Sequence, residues 1–168
     1  MSGRSRVALA TDDPRDFAGD FGHRRAIEIR LADTDAFGHV NNAVYLTYCE
    51  SARTSYWHAA TGAPVPVPDA TTRRSLILAD SRIAFRSPAF FGEWLTVETR
   101  VTRVGRSSLA MDHRLTGPAG PRGTGSRLVA VVEAVLVSYD YDLEGPTPFA
   151  DDVVAALEAF EGRGLRST

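Results

Sequence analysis

Between residues 43 and 60 the apolar side chains repeat with a helical period. After residue 75 they repeat with the period of strands. Tyr45, Cys49, Ala52 and Tyr56 fall on one helix face, with Val44 and Tyr48 beside them. Asn41 or Asn42 is a good N-cap, Glu50 and Arg53 form a favourable pair three residues apart, and Gly62 marks the end. A helix of about 18 residues is about 27 Å long, enough to cross a sheet. Before it, Ile27, Ile29 and Leu31 alternate with Glu28 and Arg30 as in a half-buried strand. Prolines 64, 66 and 68 keep residues 61–74 out of regular structure.

Four strand candidates then follow in succession. Residues 76–86 carry Ile83 and Phe85 on one face and stop at Ser87-Pro88. Residues 95–102 alternate Leu95, Val97 and Val101 with polar neighbours. Residues 108–115 follow a tight turn at Gly105. Residues 128–137 are a nearly unbroken apolar run around Glu133, which reads as a strand covered on both faces. A short helix is expected at 150–160. Consecutive strands with short turns make an antiparallel sheet, so the expected class is α+β: about five antiparallel strands, one long helix and a short C-terminal helix. One helix covers one face only, which favours pairing with further copies as a homodimer or homotetramer.

Residues 1–22 are polar and patchily acidic and read as a mobile arm. Residues 23–168 read as a single domain. With 168 residues, 43% of them hydrophobic and 24% charged, the chain has room for a real core. A net charge of −2 with scattered arginines excludes a nucleic-acid surface as its main business. One cysteine, Cys49, leaves no internal disulfide and no cysteine-based zinc cluster, which fits a reducing, cytoplasmic setting. Met1–Ala10 lack a signal-peptide core, and no run approaches the roughly 20 apolar residues of a membrane span.

All 19 basic residues are Arg, as a GC-rich coding sequence would produce. Codon bias does not explain why the only two asparagines, Asn41 and Asn42, are adjacent. They close the loop Asp33-Thr34-Asp35-Ala36-Phe37-Gly38-His39-Val40-Asn41-Asn42, which leads into the long helix through Tyr45. A helix start presents unpaired N–H groups and the positive end of its dipole, and Asp35 stands seven residues before Asn42.

This motif, D-x-D-x-x-G-H-V-N-N followed by Tyr45, Glu50 and Arg53, resembles the hotdog-fold acyl-CoA thioesterases, specifically the 4-hydroxybenzoyl-CoA thioesterase branch. The resemblance extends over about residues 24–141, through Phe85-Arg86-Ser87-Pro88, Gly92–Val97 and Val104–Ser108. It implies a hotdog fold, in which the sheet wraps the long helix, and hydrolysis of a thioester to free acid and CoA. Asp35 would be the nucleophile or general base, and the Asn42 amide would polarise the carbonyl. Gly38, His39, Asn41, Tyr45 and Glu50 would border the substrate. Arg106, Ser107 and Ser108, with Arg86 as a further contact, would meet the CoA phosphates, which arginine binds bidentately. The pantetheine arm would lie between subunits. The CoA thioester is the substrate, and no cofactor or metal is expected.

Each residue also has a plainer use. Asp35 could simply turn its own backbone, the Asn pair could merely cap, and Glu50 could serve only as the surface partner of Arg53. Asp33 reads as structural and Cys49 as a small core residue. His39 has no second His at ligand spacing and no G-x-S-x-G elbow to serve, so it reads as a loop residue near the site. Two alternative functions keep the fold: a thioesterase acting on acyl-carrier protein, and a non-catalytic acyl-CoA-binding dimer. A hotdog dehydratase would need a catalytic His, for which His39 is a poor fit.

Overall fold

The computed structural model describes residues 17, 19–68, 73–120 and 125–166. Its elements run β1 (His23–Glu28), a single 3-10 turn (Leu31–Asp33), α1 (Val44–Thr61), β2 (Arg74–Phe85), β3 (Trp94–Val104), β4 (Ser108–Pro118), β5 (Ser126–Asp140), a two-residue β6 (Gly145–Pro146) and α2 (Asp151–Glu161). All ladders are antiparallel, in the order β1-β3-β4-β5-β2, with β6 added on β5. The expected α+β architecture is the one observed.

The strands' alternation sets the two faces. Leu95 and Val97, Leu115, and Ala130 and Val132 point to α1 and bury Tyr45, Tyr48, Cys49 and Ala52. A second cluster joins Tyr56 and Trp57 to Val101, Leu109, Met111 and Leu136, with Val154 and Leu157 of α2 closing it. The helix face read from Tyr45, Cys49, Ala52 and Tyr56 is thus the buried one. Gly62, left-handed at φ 71°, ends the helix.

Two local readings are corrected. The first strand is not centred on Ile27–Leu31. It starts at His23, and the chain turns away after Ile29, so that Leu31 is 68% exposed. The cause is Asp33, whose carboxylate takes the Arg30 backbone N–H at 2.9 Å and tightens the turn. Neither Asn side chain caps α1 at its assigned boundary. The boundary residue is Ala43, and the Asn41 Oδ1 accepts the Ala43 N–H at 3.0 Å, fixing the turn that leads in.

The outer face of the sheet is also partly covered. Residues 1–16 and 18, most of the expected arm 1–22, lie outside the described residues. Phe17 and Phe21 are buried with Val131. The Arg100 and Arg114 guanidiniums each stand 4.5 Å from the centre of the Phe21 ring. Those arginines are held by Asp112 and Glu98 on neighbouring strands. The apolar run in β5 therefore has cover on both faces, as its composition implied.

Candidate functional site

The loop between the 3-10 turn and α1 is a miniature hairpin. Thr34 bridges Val40, the Asp35 N–H donates to the His39 carbonyl at 3.0 Å, and the Asn41 N–H donates to the Asp33 carbonyl at 2.9 Å. Its tip needs Gly38, which sits at φ 80° where a side chain would strain the turn. The Val40 N–H donates to the Ala89 carbonyl at 2.8 Å and ties the hairpin to the segment before β3.

Asp33 anchors this hairpin from below. It is buried, and it accepts the Arg30 side chain at 3.0 Å and the Tyr48 hydroxyl at 2.9 Å. Burial pushes its carboxyl up, but the hydrogen bonds from Arg30 and Tyr48 outweigh that and hold it below the usual carboxylate range. Burial, and then the same contact, drive the Tyr48 hydroxyl far above its ordinary value. The structural role read for Asp33 is what this geometry gives it.

Asp35 is different. Its Oδ1 accepts the Phe37 N–H at 2.8 Å, an Asx turn, while its Oδ2 lies 3.8 Å from His39 Nδ1. The side chain keeps 23% exposure. The backbone-turning use of Asp35 is therefore present, and it leaves one carboxylate oxygen available. His39 packs against the exposed Phe37 ring, with centroids 6.2 Å apart. Asn42 is exposed, and its N–H has no acceptor among the described residues. A carboxylate oxygen on the hairpin and an unused amide at its exit, two residues before α1, thus lie close in the chain, a pairing of groups that acyl transfer uses for attack and for stabilising an oxyanion.

The other expected site residues are dispersed. Tyr45 lies in the core below the helix start, edge-on to Tyr48 and to Phe85, and burial raises its hydroxyl pKa. Glu50, five residues further on, is exposed and 3.7 Å from Arg53. Arg86 follows β2 at the same end of the sheet as Asp35, its N–H donating to the Val129 carbonyl. Arg106, Ser107 and Ser108 form the β3–β4 turn at the opposite end, an 11-residue strand away, which is about 35 Å. Within one chain they do not meet Asp35. The support of the site by Arg30 and Tyr48 was not read from the sequence; the one signal was Tyr48 at helical spacing beside the core face. Among the described residues no group of three or more His, Cys, Asp or Glu is disposed to hold a metal ion.

The profile of the thioesterase-like superfamily matches residues 29–157, a span that holds the hairpin, α1, β2–β5 and the start of α2. The chain belongs to that superfamily, and its sheet and helices are those of the hotdog fold. Among solved structures it is similar to a thioesterase from Thermus thermophilus crystallised with coenzyme A and zinc. That similarity is 31% identity, with 86% of this chain and 98% of that one covered and a TM-score of 0.68. It shares the fold of a 1,4-dihydroxy-2-naphthoyl-CoA thioesterase from Synechocystis (20% identity, 80% and 94% covered, TM-score 0.67). It also shares that of a gentisyl-coenzyme A thioesterase (17% identity, 80% and 98% covered, TM-score 0.66). A comparison with curated proteins found no match.

Proposed function

We propose that the protein is an acyl-CoA thioesterase of the 4-hydroxybenzoyl-CoA thioesterase-like branch, with Asp35 and the Asn42 amide as its reacting groups. The observation that carries this reading is the hairpin of residues 33–41. It leaves Asp35 Oδ2 and the Asn42 N–H without other hydrogen-bond partners among the described residues, at one helix start. The thioester carbonyl accepts the Asn42 N–H. Asp35 Oδ2 then either attacks the carbonyl carbon, expelling the CoA thiolate and leaving an acyl anhydride for water to open, or takes a proton from the attacking water. Both routes end in the free acid and CoA. An oxyanion donor of this kind is worth about 3–4 kcal/mol in the barrier.

The active unit in this reading is a homodimer or a dimer of dimers. β2 is 12 residues long and pairs only with β5 among the described residues, so its other edge is open. Two copies joined antiparallel along that edge would set the Arg106–Ser108 turn of one beside the Asp35 end of the other, with the pantetheine arm between them. The reading places the enzyme in the cytoplasm, with no cofactor beyond the CoA carried by the substrate.

The test is Asp35→Ala assayed on a panel of short, long, branched and aromatic acyl-CoAs. Loss of hydrolysis on every substrate the wild type cleaves is expected. Retained hydrolysis across that set would overturn the assignment, and tight acyl-CoA binding without turnover by the wild type would make the protein a binder.

A further inference from the structure

A cavity of about 360 Å³ opens between the second half of α1, the proline loop 64–68 and the sheet, at the far end of the helix from Asp35. Trp57, Val65, Leu76, Leu109 and Met111 form its apolar wall, and Glu50, Thr54 and Ser75 line its polar side. The Ser75 hydroxyl donates to the Pro66 carbonyl at 2.9 Å and pins the loop over it. One cation faces this space. The Arg53 side chain is only 15% exposed, yet its nearest carboxylate, Glu50, stands 3.7 Å away, beyond hydrogen-bond distance, and is itself 65% exposed. Among the described residues the Arg53 guanidinium makes no hydrogen bond. With a single loose ion pair and no hydrogen bond among the described residues, its N–H donors are open to an acceptor that enters the cavity. The planar fork of those donors matches a carboxylate.

We propose that this cavity binds an apolar or aromatic carboxylate, with the carboxylate paired to Arg53 and the hydrocarbon body held against Trp57, Leu109 and Met111. The volume falls in the range of small-molecule sites, and one charged group in an apolar wall is how such sites fix orientation. The site stands whether or not Asp35 carries hydrolysis. Two sources share this chemistry: a free carboxylic acid, and an acyl thioester whose chain ends in a second carboxylate.

The test follows Trp57 fluorescence in a Trp94→Phe background during titration with octanoate, phenylacetate and their primary amides. Saturable quenching by the acids, with the amides at least tenfold weaker, is expected. Arg53→Gln should weaken acid binding at least tenfold. Glu50→Gln, a change at an exposed side chain that releases Arg53, should tighten it. Amides binding as well as acids, or no saturable change up to the millimolar range, would overturn the proposal. So would a folded Arg53→Gln variant that binds acids like the parent. If Arg53→Gln does not fold, the amide comparison and Glu50→Gln decide alone. The source is read from CoA monothioesters of a dicarboxylic acid and of the monocarboxylic acid of equal length. Tighter binding of the first identifies the distal carboxylate, and equal binding identifies the free acid.

Discussion

The Asp35 carboxylate divides its two oxygens: Oδ1 holds the Phe37 N–H at 2.8 Å, and Oδ2 lies 3.8 Å from His39 Nδ1. One oxygen shapes the hairpin, and the other is the one the proposed reaction would use. The two tasks separate by mutation. Asp35→Asn keeps an acceptor for Phe37 and loses the charge, so the hydrolysis rate should fall at least about 100-fold with the melting temperature close to wild type. Asp35→Ala should lose the rate and also about 1 kcal/mol of stability. Paired kinetic and thermal measurements check this, and an Asn variant with wild-type turnover would remove Asp35 from the reaction.

The hairpin depends on Asp33 from beneath. Asp33→Ala leaves the Tyr48 hydroxyl and the Arg30 N–H without their acceptor, which should cost about 3 kcal/mol, while Tyr48→Phe should cost about 1–2 kcal/mol. Because the Asp33 carboxyl is held below its ordinary value of 3.8, its contribution is present above that pH and is lost as the pH falls through the folded value. Urea unfolding of Asp33→Asn should therefore converge with wild type at low pH. A gap that widens in acid would contradict this.

Acid should also act through the sheet interior. His113 is fully buried, its Nδ1 meets the Thr99 hydroxyl at 2.9 Å, and its Nε2 has no partner among the described residues. Burial first, then the positive charge of Arg53, pulls its pKa from 6.5 down to about 3. Keeping it neutral contributes fully above pH 6.5, and that contribution falls toward pH 3 by about 1.4 kcal/mol per unit. His23, lowered by burial and by Arg25, acts in the same direction. His113→Gln should flatten the acid-side slope by nearly one proton in chemical-denaturation series. An unchanged slope would show that His113 is protonated in the fold.

Phe21, in contact with two guanidiniums, is a separate handle on the outer face. Phe21→Ala should lower stability by about 3 kcal/mol and Phe21→Trp by much less. Equal denaturation midpoints for wild type and the Ala variant would mean that the ring adds nothing.

What the sequence disclosed and what it hid follow a physical divide. The face of α1 was legible because Tyr45, Cys49, Ala52 and Tyr56 repeat with the helix period, and β3–β5 because their apolar residues alternate or run together. The end of β1 was misread because Leu31 continues the alternation while Asp33, two residues on, folds the backbone away. The cover of Phe17 and Phe21 was hidden because it depends on arginines about 80–100 residues distant that only the sheet brings together. At the site, the motif located Asp35 and the Asn pair on one hairpin, but spacing cannot show that Arg106–Ser108 sit at the other end of an 11-residue strand.

Cys49 has a practical consequence. It is buried at 2% exposure, and burial pushes its thiol up to about 12. The folded chain therefore offers no thiolate at neutral pH. A maleimide or a mild oxidant can reach it only when α1 lifts from the sheet, so the rate of its alkylation is a built-in clock for that opening. By the same token, a cysteine engineered elsewhere would accept a fluorophore or a spin label alone, with the native thiol left in place.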